Sequence, residues 1–186
     1  MKSIVAIGDS ITWGFPDGFS WTHLLEEQLG VEILNAGING DTLEGMLSRL
    51  DQDVLVHRPD VCIVMGGSND AFMGYGIEDM REIVLEIKSR LERNRIRVFF
   101  GIPVPALFGE LEERLRPFRD WLREQMPDCI PFDAVFLEEG RIRGELLFDG
   151  VHPSREGRRL MALVAEDVLA KVVGEGDGEA DVGRCR

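Results

Sequence analysis

The sequence has little positive charge. Of its 186 residues, 21 are Lys or Arg and 34 are Asp or Glu, which gives a net charge of −13 at pH 7. Nucleic-acid binding requires Lys and Arg that neutralise phosphates, and an anionic membrane surface attracts the same side chains. We therefore expect no nucleic-acid partner and no membrane partner.

Long apolar runs and cysteines are also scarce. No apolar run approaches the roughly 20 residues that span a bilayer, and the first predicted strand begins by residue 4, which leaves no room for a secretion signal. Cys62, Cys129 and Cys185 are an odd set without CxxC spacing, as is usual in a reducing compartment. The sequence thus predicts a cytoplasmic protein without a disulfide framework or zinc site, with Cys62 in the core.

Motifs of several other enzyme classes are missing. The sequence has no GxSxG nucleophile elbow, no GxxxxGK[ST] loop, no GxGxxG after a strand and no HExxH. Their absence argues against the usual α/β-hydrolase, nucleotide-binding and zinc-protease interpretations. We expect no cofactor and no metal.

The sequence does contain a regular alternation of strand and helix patterns. Short apolar runs predict strands at residues 4–7, 31–34, 61–65, 98–102 and 130–132. Apolar residues at helical spacing predict helices that begin near residue 21 and cover residues 43–54, 80–91, 107–122 and 160–172. Pro117 is expected to kink or break the fourth helix, and Ser154 is a candidate N-cap for the last.

This alternation predicts an α/β fold. Strands joined through helices form right-handed βαβ units, so we expect a parallel sheet covered on both faces, with the flavodoxin-like strand order 2-1-3-4-5. One domain, residues 1–173, accounts for the periodic part of the chain. From Gly174 the sequence is rich in Gly, Asp and Glu, and residues 174–186 are expected to be a disordered tail.

Polar clusters follow four of the predicted strands. They are Gly8-Asp9-Ser10, residues 35–41, residues 66–70 and, after a longer connection, residues 149–153. The carboxyl ends of parallel strands meet at one edge of a sheet, where open α/β sheets bind ligands. We therefore expect the four clusters to converge.

Together the clusters hold the parts that acyl transfer needs. Ser10 can act as the nucleophile, His152 as the base and Asp149 as the group that orients the base. The backbone N–H groups of Ser10 and Gly40 and the side-chain amide of Asn69 can hold the developing oxyanion. The sequence therefore predicts one complete catalytic site.

Each cluster alone also has a simpler interpretation. Gly-Asp-Ser after a strand is typical of a tight turn, Asn69-Asp70 of a turn or a helix cap, and His152 before Pro153 of a structural histidine. Four such clusters at the ends of strands favour catalysis instead. Within that interpretation, Asp9 and Asp70 are expected to brace loops rather than react.

Substrate-binding residues are not determined by these patterns. Several apolar residues near the clusters could equally wall a substrate cleft or pack on the core: Trp13, Phe15, Phe72, Met73, Tyr75 and residues 103–105. His23 and His57 lie outside the clusters and are expected to be structural or exposed.

The four clusters resemble the motifs of the SGNH hydrolases, the GDSL esterase/lipase superfamily. Gly8-Asp9-Ser10-Ile11 resembles the GDSL block, with Ile11 in place of Leu, and Gly40 matches the oxyanion glycine of the second block. Gly67-Ser68-Asn69-Asp70 matches GxND, and residues 149–152 match DxxH. The resemblance covers residues 3 to about 172.

The resemblance implies a three-layer α/β/α sandwich and serine esterase chemistry without a metal. The expected partner is a small-molecule ester or thioester with a short or medium acyl chain, or an acetylated sugar. An acyltransferase that uses the same residues and a non-catalytic carbohydrate- or acyl-binding module remain alternatives. The sequence leaves the oligomeric state and the natural ester open.

Overall fold

Five parallel strands form the centre of the protein in a computed structural model, which describes residues 2–174. The strands are β1 (Ile4–Gly8), β2 (Ile33–Gly37), β3 (Val61–Met65), β4 (Arg97–Gly101) and β5 (Cys129–Ile130). Their spatial order is β2-β1-β3-β4-β5, and each neighbouring pair is parallel. The predicted sheet and its strand order are confirmed.

Helices cover both faces of this sheet. They are α1 (Ser10–Trp13), α2 (Trp21–Leu29), α3 (Leu43–Asp53), α4 (Ser68–Met73), α5 (Ile77–Arg93), α6 (Gly109–Gln125), α7 (Phe132–Val135) and α8 (Arg155–Gly174). Two 3-10 turns, Leu55–His57 and Gly144–Leu146, and a small antiparallel hairpin of β6 (Leu137–Glu138) and β7 (Arg141–Ile142) complete the described chain.

Alternate residues of the strands point into two separate cores. Ile4 and Ala6 of β1 face the core shared with α2 and α8, whereas Val5 and Ile7 face the core shared with α3, α5 and α6. The period of two is that of an extended strand buried on both faces. The protein is therefore the predicted three-layer α/β/α sandwich, and Cys62 is buried in it as expected.

The range of β3 is as predicted, β1 and β4 differ from their predicted ranges by one residue, and β2 and β5 differ by more. β2 begins at Ile33 and continues through Gly37, because its polar residue Asn35 pairs in register with β1 although it is typical of a loop. β5 ends at Ile130 because Pro131, which has no N–H, follows it and leads into the short helix α7.

Of the two predicted effects of Pro117 on α6, a kink or a break, the break does not occur. The helix runs without interruption from Gly109 to Gln125 with Pro117 inside it. Pro117 is exposed, and so is Glu113, the residue whose carbonyl loses its helical partner. Leu115 and Phe118 on the other side are fully buried, and their packing holds the helix together.

Polar side chains start the helices that lead away from the sheet edge. The Thr42 Oγ accepts a hydrogen bond from the Gly45 N–H at the start of α3. Ser154 Oγ accepts one from the Gly157 N–H at the start of α8, as predicted. These caps fix where the preceding loops end.

Two further features concern the chain as a whole. Within residues 2–174, no helix combines the length and the apolar character required to cross a bilayer. Gly174 is the last residue of α8, and the rest of the predicted tail, residues 175–186 with Cys185, lies outside the described residues.

Candidate active site

Ser10 is presented by a sharp turn from β1 into α1. Gly8 makes the turn possible, because a Cβ there would lie 2.1 Å from Thr12 Oγ1 and 2.7 Å from the Met65 carbonyl oxygen. Asp9 then caps α1 by accepting a hydrogen bond of 2.9 Å from the Ile11 N–H. Ser10 is the first residue of the helix, so its N–H has no acceptor within the helix.

The structure brings Ser10, His152 and Asp149 into one hydrogen-bonded chain. Ser10 Oγ lies 2.9 Å from His152 Nε2, and His152 Nδ1 lies 2.8 Å from Asp149 Oδ2. Because an ionised carboxylate only accepts, the imidazole proton lies on Nδ1. Nε2 is then free to accept the proton of the Ser10 hydroxyl.

A short loop fixes the geometry of the acid and the base. Asp149 Oδ1 accepts hydrogen bonds from the N–H groups of Val151 (3.1 Å) and His152 (2.9 Å). Phe148 N–H donates to the His152 carbonyl oxygen at 2.7 Å and closes the loop. Partial burial raises the pKa of Asp149, but the hydrogen bonds from His152 and Val151 outweigh it and hold the pKa below its usual range. The carboxylate is therefore ionised when it orients the imidazole.

Two of the predicted oxyanion donors, Gly40 in the loop before α3 and Asn69 in α4, lie in segments that contact each other. Gly40 has a φ of 78°, in the left-handed region, and a Cβ there would meet nothing within 4 Å, so its surroundings are open. Asn69 Nδ2 donates to the Asp41 carbonyl oxygen at 2.8 Å. One amide hydrogen of Asn69 thus fixes the side chain against the residue after Gly40 and leaves the second free.

Asp9 and Asp70 accept from backbone N–H groups at the starts of α1 and α3 rather than from Ser10 Oγ or His152. Both oxygens of Asp70 accept from the Leu43 N–H, at 3.1 and 3.2 Å. Burial raises the pKa of Asp9 to about 7, and the charges of Asp70 and Asp41 add to the rise. Burial also raises the pKa of Asp70 to about 6, although its hydrogen bond from Leu43 opposes the rise.

Phe15 packs on the candidate base. Its ring centroid lies 4.5 Å from that of His152, and the rings are tilted by 39°. Phe148 meets Phe15 edge-on at 6.4 Å. Of the aromatic residues that the sequence left undecided, Phe15 therefore belongs to the site.

A largely apolar cleft of about 300 Å³ is lined in part by Val151, the residue before His152. Its lining residues come from α4, the start of α6 and the loop that holds His152: Phe72, Phe108, Glu110, Leu111, Arg114 and Val151. The sequence pattern had pointed to Phe72 but not to Phe108 or Leu111. Val104, by contrast, is part of the core and does not line this cleft.

The remaining expectations concern residues away from the site. His23 is exposed and its Nδ1 accepts from the Ser20 N–H, in a capping box of α2, and His57 is also exposed. Among residues 2–174 no cluster of three His, Cys, Asp or Glu side chains could hold a metal ion. Arg49 was not singled out from the sequence, since its contacts with Asp41 and Gly8 join residues that are 8 and 41 positions apart.

Known proteins resemble this chain in sequence and in structure. The model of the GDSL-like lipase/acylhydrolase family matches residues 6–160. The chain belongs to this family. This GDSL hydrolase is 27% identical over 165 residues to the esterase TesA of Pseudomonas aeruginosa. The matched region covers 82% of this chain and 80% of that protein.

Other relatives of this GDSL hydrolase support the same family. An acetylxylan esterase of Geobacillus stearothermophilus is 34% identical over 154 residues, covering 73% of this chain and 70% of the relative. The solved structure of a protein of the lipolytic G-D-S-L family from Desulfitobacterium hafniense matches with a TM-score of 0.83 and 28% identity, covering 91% of this chain and all of that one. This GDSL hydrolase is thus an enzyme whose relatives are named as esterases.

Proposed function

We propose that the protein is a serine esterase that cleaves carboxylic esters or thioesters through an acyl-enzyme on Ser10. The observation that carries the proposal is the unbroken chain of hydrogen bonds from Ser10 Oγ through His152 to Asp149, at 2.9 and 2.8 Å. This is the arrangement of nucleophile, base and orienting carboxylate that acyl transfer requires.

The reaction follows from these contacts in two halves. Ser10 Oγ attacks the ester carbonyl while His152 Nε2 takes the hydroxyl proton, and the Asp149 carboxylate stabilises the imidazolium that forms. The N–H groups of Ser10 and Gly40 and the Asn69 amide donate to the oxyanion. His152 then gives its proton to the departing alcohol or thiol.

Water completes the cycle. His152 Nε2 takes a proton from a water molecule that attacks the acyl-enzyme, and the same oxyanion donors hold the second tetrahedral intermediate. Its collapse releases the carboxylic acid and returns the proton to Ser10 Oγ. Every proton that leaves Ser10 or water passes through His152, so the mechanism uses only groups of this chain.

The cleft that Val151 lines supports a short or medium acyl chain. Its volume of about 300 Å³ lies at the lower end of the range for small-molecule sites. Phe72, Phe108 and Leu111 supply apolar contacts, whereas a long chain would extend beyond them into solvent. Acetylated sugars are the other candidate substrates, and the acetylxylan esterase among the relatives favours testing them.

The first experiment is hydrolysis of p-nitrophenyl esters from acetyl to palmitoyl, with Ser10→Ala beside the wild type. We expect a maximum at short to medium chains and a loss of at least about 10³-fold in kcat for Ser10→Ala. Acetylated xylose and acyl thioesters are assayed in parallel. Unchanged turnover by Ser10→Ala would rule out the proposed mechanism.

The cleft is tested by Phe108→Ala, with Leu85→Ala as the control. Both residues are at least half exposed, but Leu85 lies on α5, away from the cleft. We expect Phe108→Ala to lower kcat/KM for butyryl and hexanoyl esters by about 10-fold, the equivalent of roughly 1.5 kcal/mol of apolar contact, and to leave acetyl esters unchanged. An equal loss for acetyl esters would place the acyl chain elsewhere.

A further inference from the structure

The segment that carries Gly40 is exposed and needs support from outside. Residues 38–42, here named the oxyanion loop, connect β2 to α3, and Ile38, Asn39 and Gly40 are exposed to solvent. Inside the loop, the Asp41 N–H donates to the Ile38 carbonyl oxygen at 3.2 Å. Oxyanion donors work only when they are held in place before the charge develops, so other contacts must fix the loop.

The Arg49 guanidinium connects the oxyanion loop to the strand that carries the nucleophile. From α3, its Nε donates to Asp41 Oδ2 at 2.8 Å, and its Nη2 donates to the Gly8 carbonyl oxygen at 3.1 Å. Gly8 is the last residue of β1, two positions before Ser10. The same carbonyl oxygen also accepts from the Ile38 N–H at 3.0 Å. One planar cation thus holds the loop against the end of β1.

Through Asp41, Arg49 affects both oxyanion donors that lie outside α1, Gly40 and Asn69. Asp41 follows Gly40 directly, and its carbonyl oxygen accepts from Asn69 Nδ2. When Arg49 fixes the Asp41 side chain, it therefore fixes the peptide next to Gly40 and the acceptor that orients Asn69. The side chains of Arg49 and Asp41 are only 13% and 11% exposed, so solvent screens this ion pair weakly.

We infer that Arg49 is a positioning residue that aligns the Gly40 and Asn69 oxyanion donors with Ser10 through Asp41 and the Gly8 carbonyl. The inference rests on the proposed esterase function. It assigns Arg49 a role in the stability of the tetrahedral intermediate rather than in substrate binding. Lysine cannot replace it fully, because a single ammonium lacks the planar set of donors that reaches both acceptors.

The test is steady-state kinetics of Arg49→Met and Arg49→Lys on a p-nitrophenyl ester, with kcat expressed per active site titrated by a fluorophosphonate. We expect Arg49→Met to lower kcat by about 10- to 100-fold, below the loss for an oxyanion donor itself, and to change KM by less than about threefold. Arg49→Lys should recover part of this loss. The inhibition constant of a trifluoromethyl ketone, which forms a tetrahedral adduct, should rise in parallel with the fall in kcat.

Two controls separate positioning from a general effect on folding. Asp53→Asn removes the other carboxylate that Arg49 contacts, at 2.7 Å, but leaves the oxyanion loop and Gly8 in contact with Arg49. Arg90→Met removes a surface arginine that pairs with Asp51. Both should keep kcat within about twofold of wild type, since neither contact touches the loop.

Asp41→Asn and the double variant with Arg49→Met test the route of the effect. If Arg49 acts through Asp41, the double variant should lose little more kcat than Arg49→Met alone. Full kcat per active site in Arg49→Met, an equal loss in the two controls, or an unchanged ketone inhibition constant would overturn the inference. Because wild-type turnover and Ser10→Ala are measured in the same assay, a failure of the esterase proposal is distinguished from a failure of this one.

Discussion

Phe15 connects the candidate nucleophile to the candidate base. Its N–H donates to the Ser10 carbonyl oxygen at 3.0 Å, while its ring lies on the His152 imidazole. The imidazole must keep one orientation while it takes a proton from Ser10 and delivers it to the leaving group. The Phe15 ring packed on the imidazole restricts the other orientations that His152 could take.

We predict that Phe15→Ala lowers kcat by about 3- to 10-fold, since an aromatic pair contributes roughly 0.5–1.5 kcal/mol. Phe19→Ala is the matched control, because Phe19 lies in the same loop but stacks on His23, away from the site. Ester hydrolysis under saturating substrate measures both variants. An equal effect of the two substitutions would show that the loop, and not the ring on His152, matters.

The helix α6 shows how packing can overrule a local preference. Pro117 removes one hydrogen bond from its middle, yet the buried side chains of Leu115, Phe118 and Leu122 keep the helix continuous. The missing hydrogen bond nevertheless lowers the free energy of unfolding of the protein.

Replacement of Pro117 by Ala is therefore expected to raise the free energy of unfolding by about 1–3 kcal/mol, without a change in kcat. Urea denaturation followed by circular dichroism measures the gain. Glu124→Ala, at an exposed position of the same helix, should change the stability by less than about 0.5 kcal/mol. A Pro117→Ala protein no more stable than wild type would mean that the helix is already relaxed around the proline.

The order of the elements could be predicted from the sequence better than their contacts. The strands β1 and β3 are continuous apolar runs that end in polar clusters, so the position of both strands and the approach of Ser10 to His152 could be deduced. The role of Arg49 could not, because its spacing from Gly8 carries no periodic signal. The continuity of α6 depended on burial, which a local rule about proline ignores.

Buried carboxylates make the stability of this acidic protein depend on pH. Asp9 has an ordinary pKa of 3.8 and a pKa of about 7 in the fold, and the pKa of Asp70 is raised to about 6. Between its ordinary pKa and its raised pKa in the fold, each group binds more protons in the native state than in the unfolded chain. The stability from each group is therefore complete below about pH 3.8 and is lost as the pH rises through its folded pKa.

We accordingly predict that the free energy of unfolding falls between about pH 4 and pH 7, and that Asp9→Asn removes part of this fall. One such group contributes a slope of about 1.4 kcal/mol per pH unit. The variant keeps an oxygen that can accept from the Ile11 N–H. Asp70 titrates in both proteins, so the slopes of wild type and Asp9→Asn should differ by a similar amount from about pH 4 to pH 6. Above about pH 6, where more than half of Asp70 is ionised, Asp9 should account for most of the remaining wild-type slope.

Urea denaturation at several pH values measures this difference. Asp51→Asn is the control, because the Asp51 side chain is 66% exposed and lies in a surface ion pair with Arg90. The free energy of unfolding of Asp51→Asn should change with pH by the same slope as that of wild type. A wild-type protein whose stability rises steadily from pH 4 to pH 7 would contradict the assignment to buried carboxylates.

The hairpin of β6 and β7 lies between the two stretches of chain that hold the candidate catalytic residues. Its turn, Glu139 and Gly140, is exposed. A backbone cut there would give one fragment with Ser10, Gly40 and Asn69 and another with Asp149 and His152. Neither fragment alone would hold both the proposed nucleophile and the proposed base, so neither alone should hydrolyse esters. Because α8 packs against α2 of the other fragment, the two halves have a surface on which to reassemble. Ester cleavage by the mixture would then report the meeting of the halves, which makes this fold a candidate for a two-part reporter of proximity.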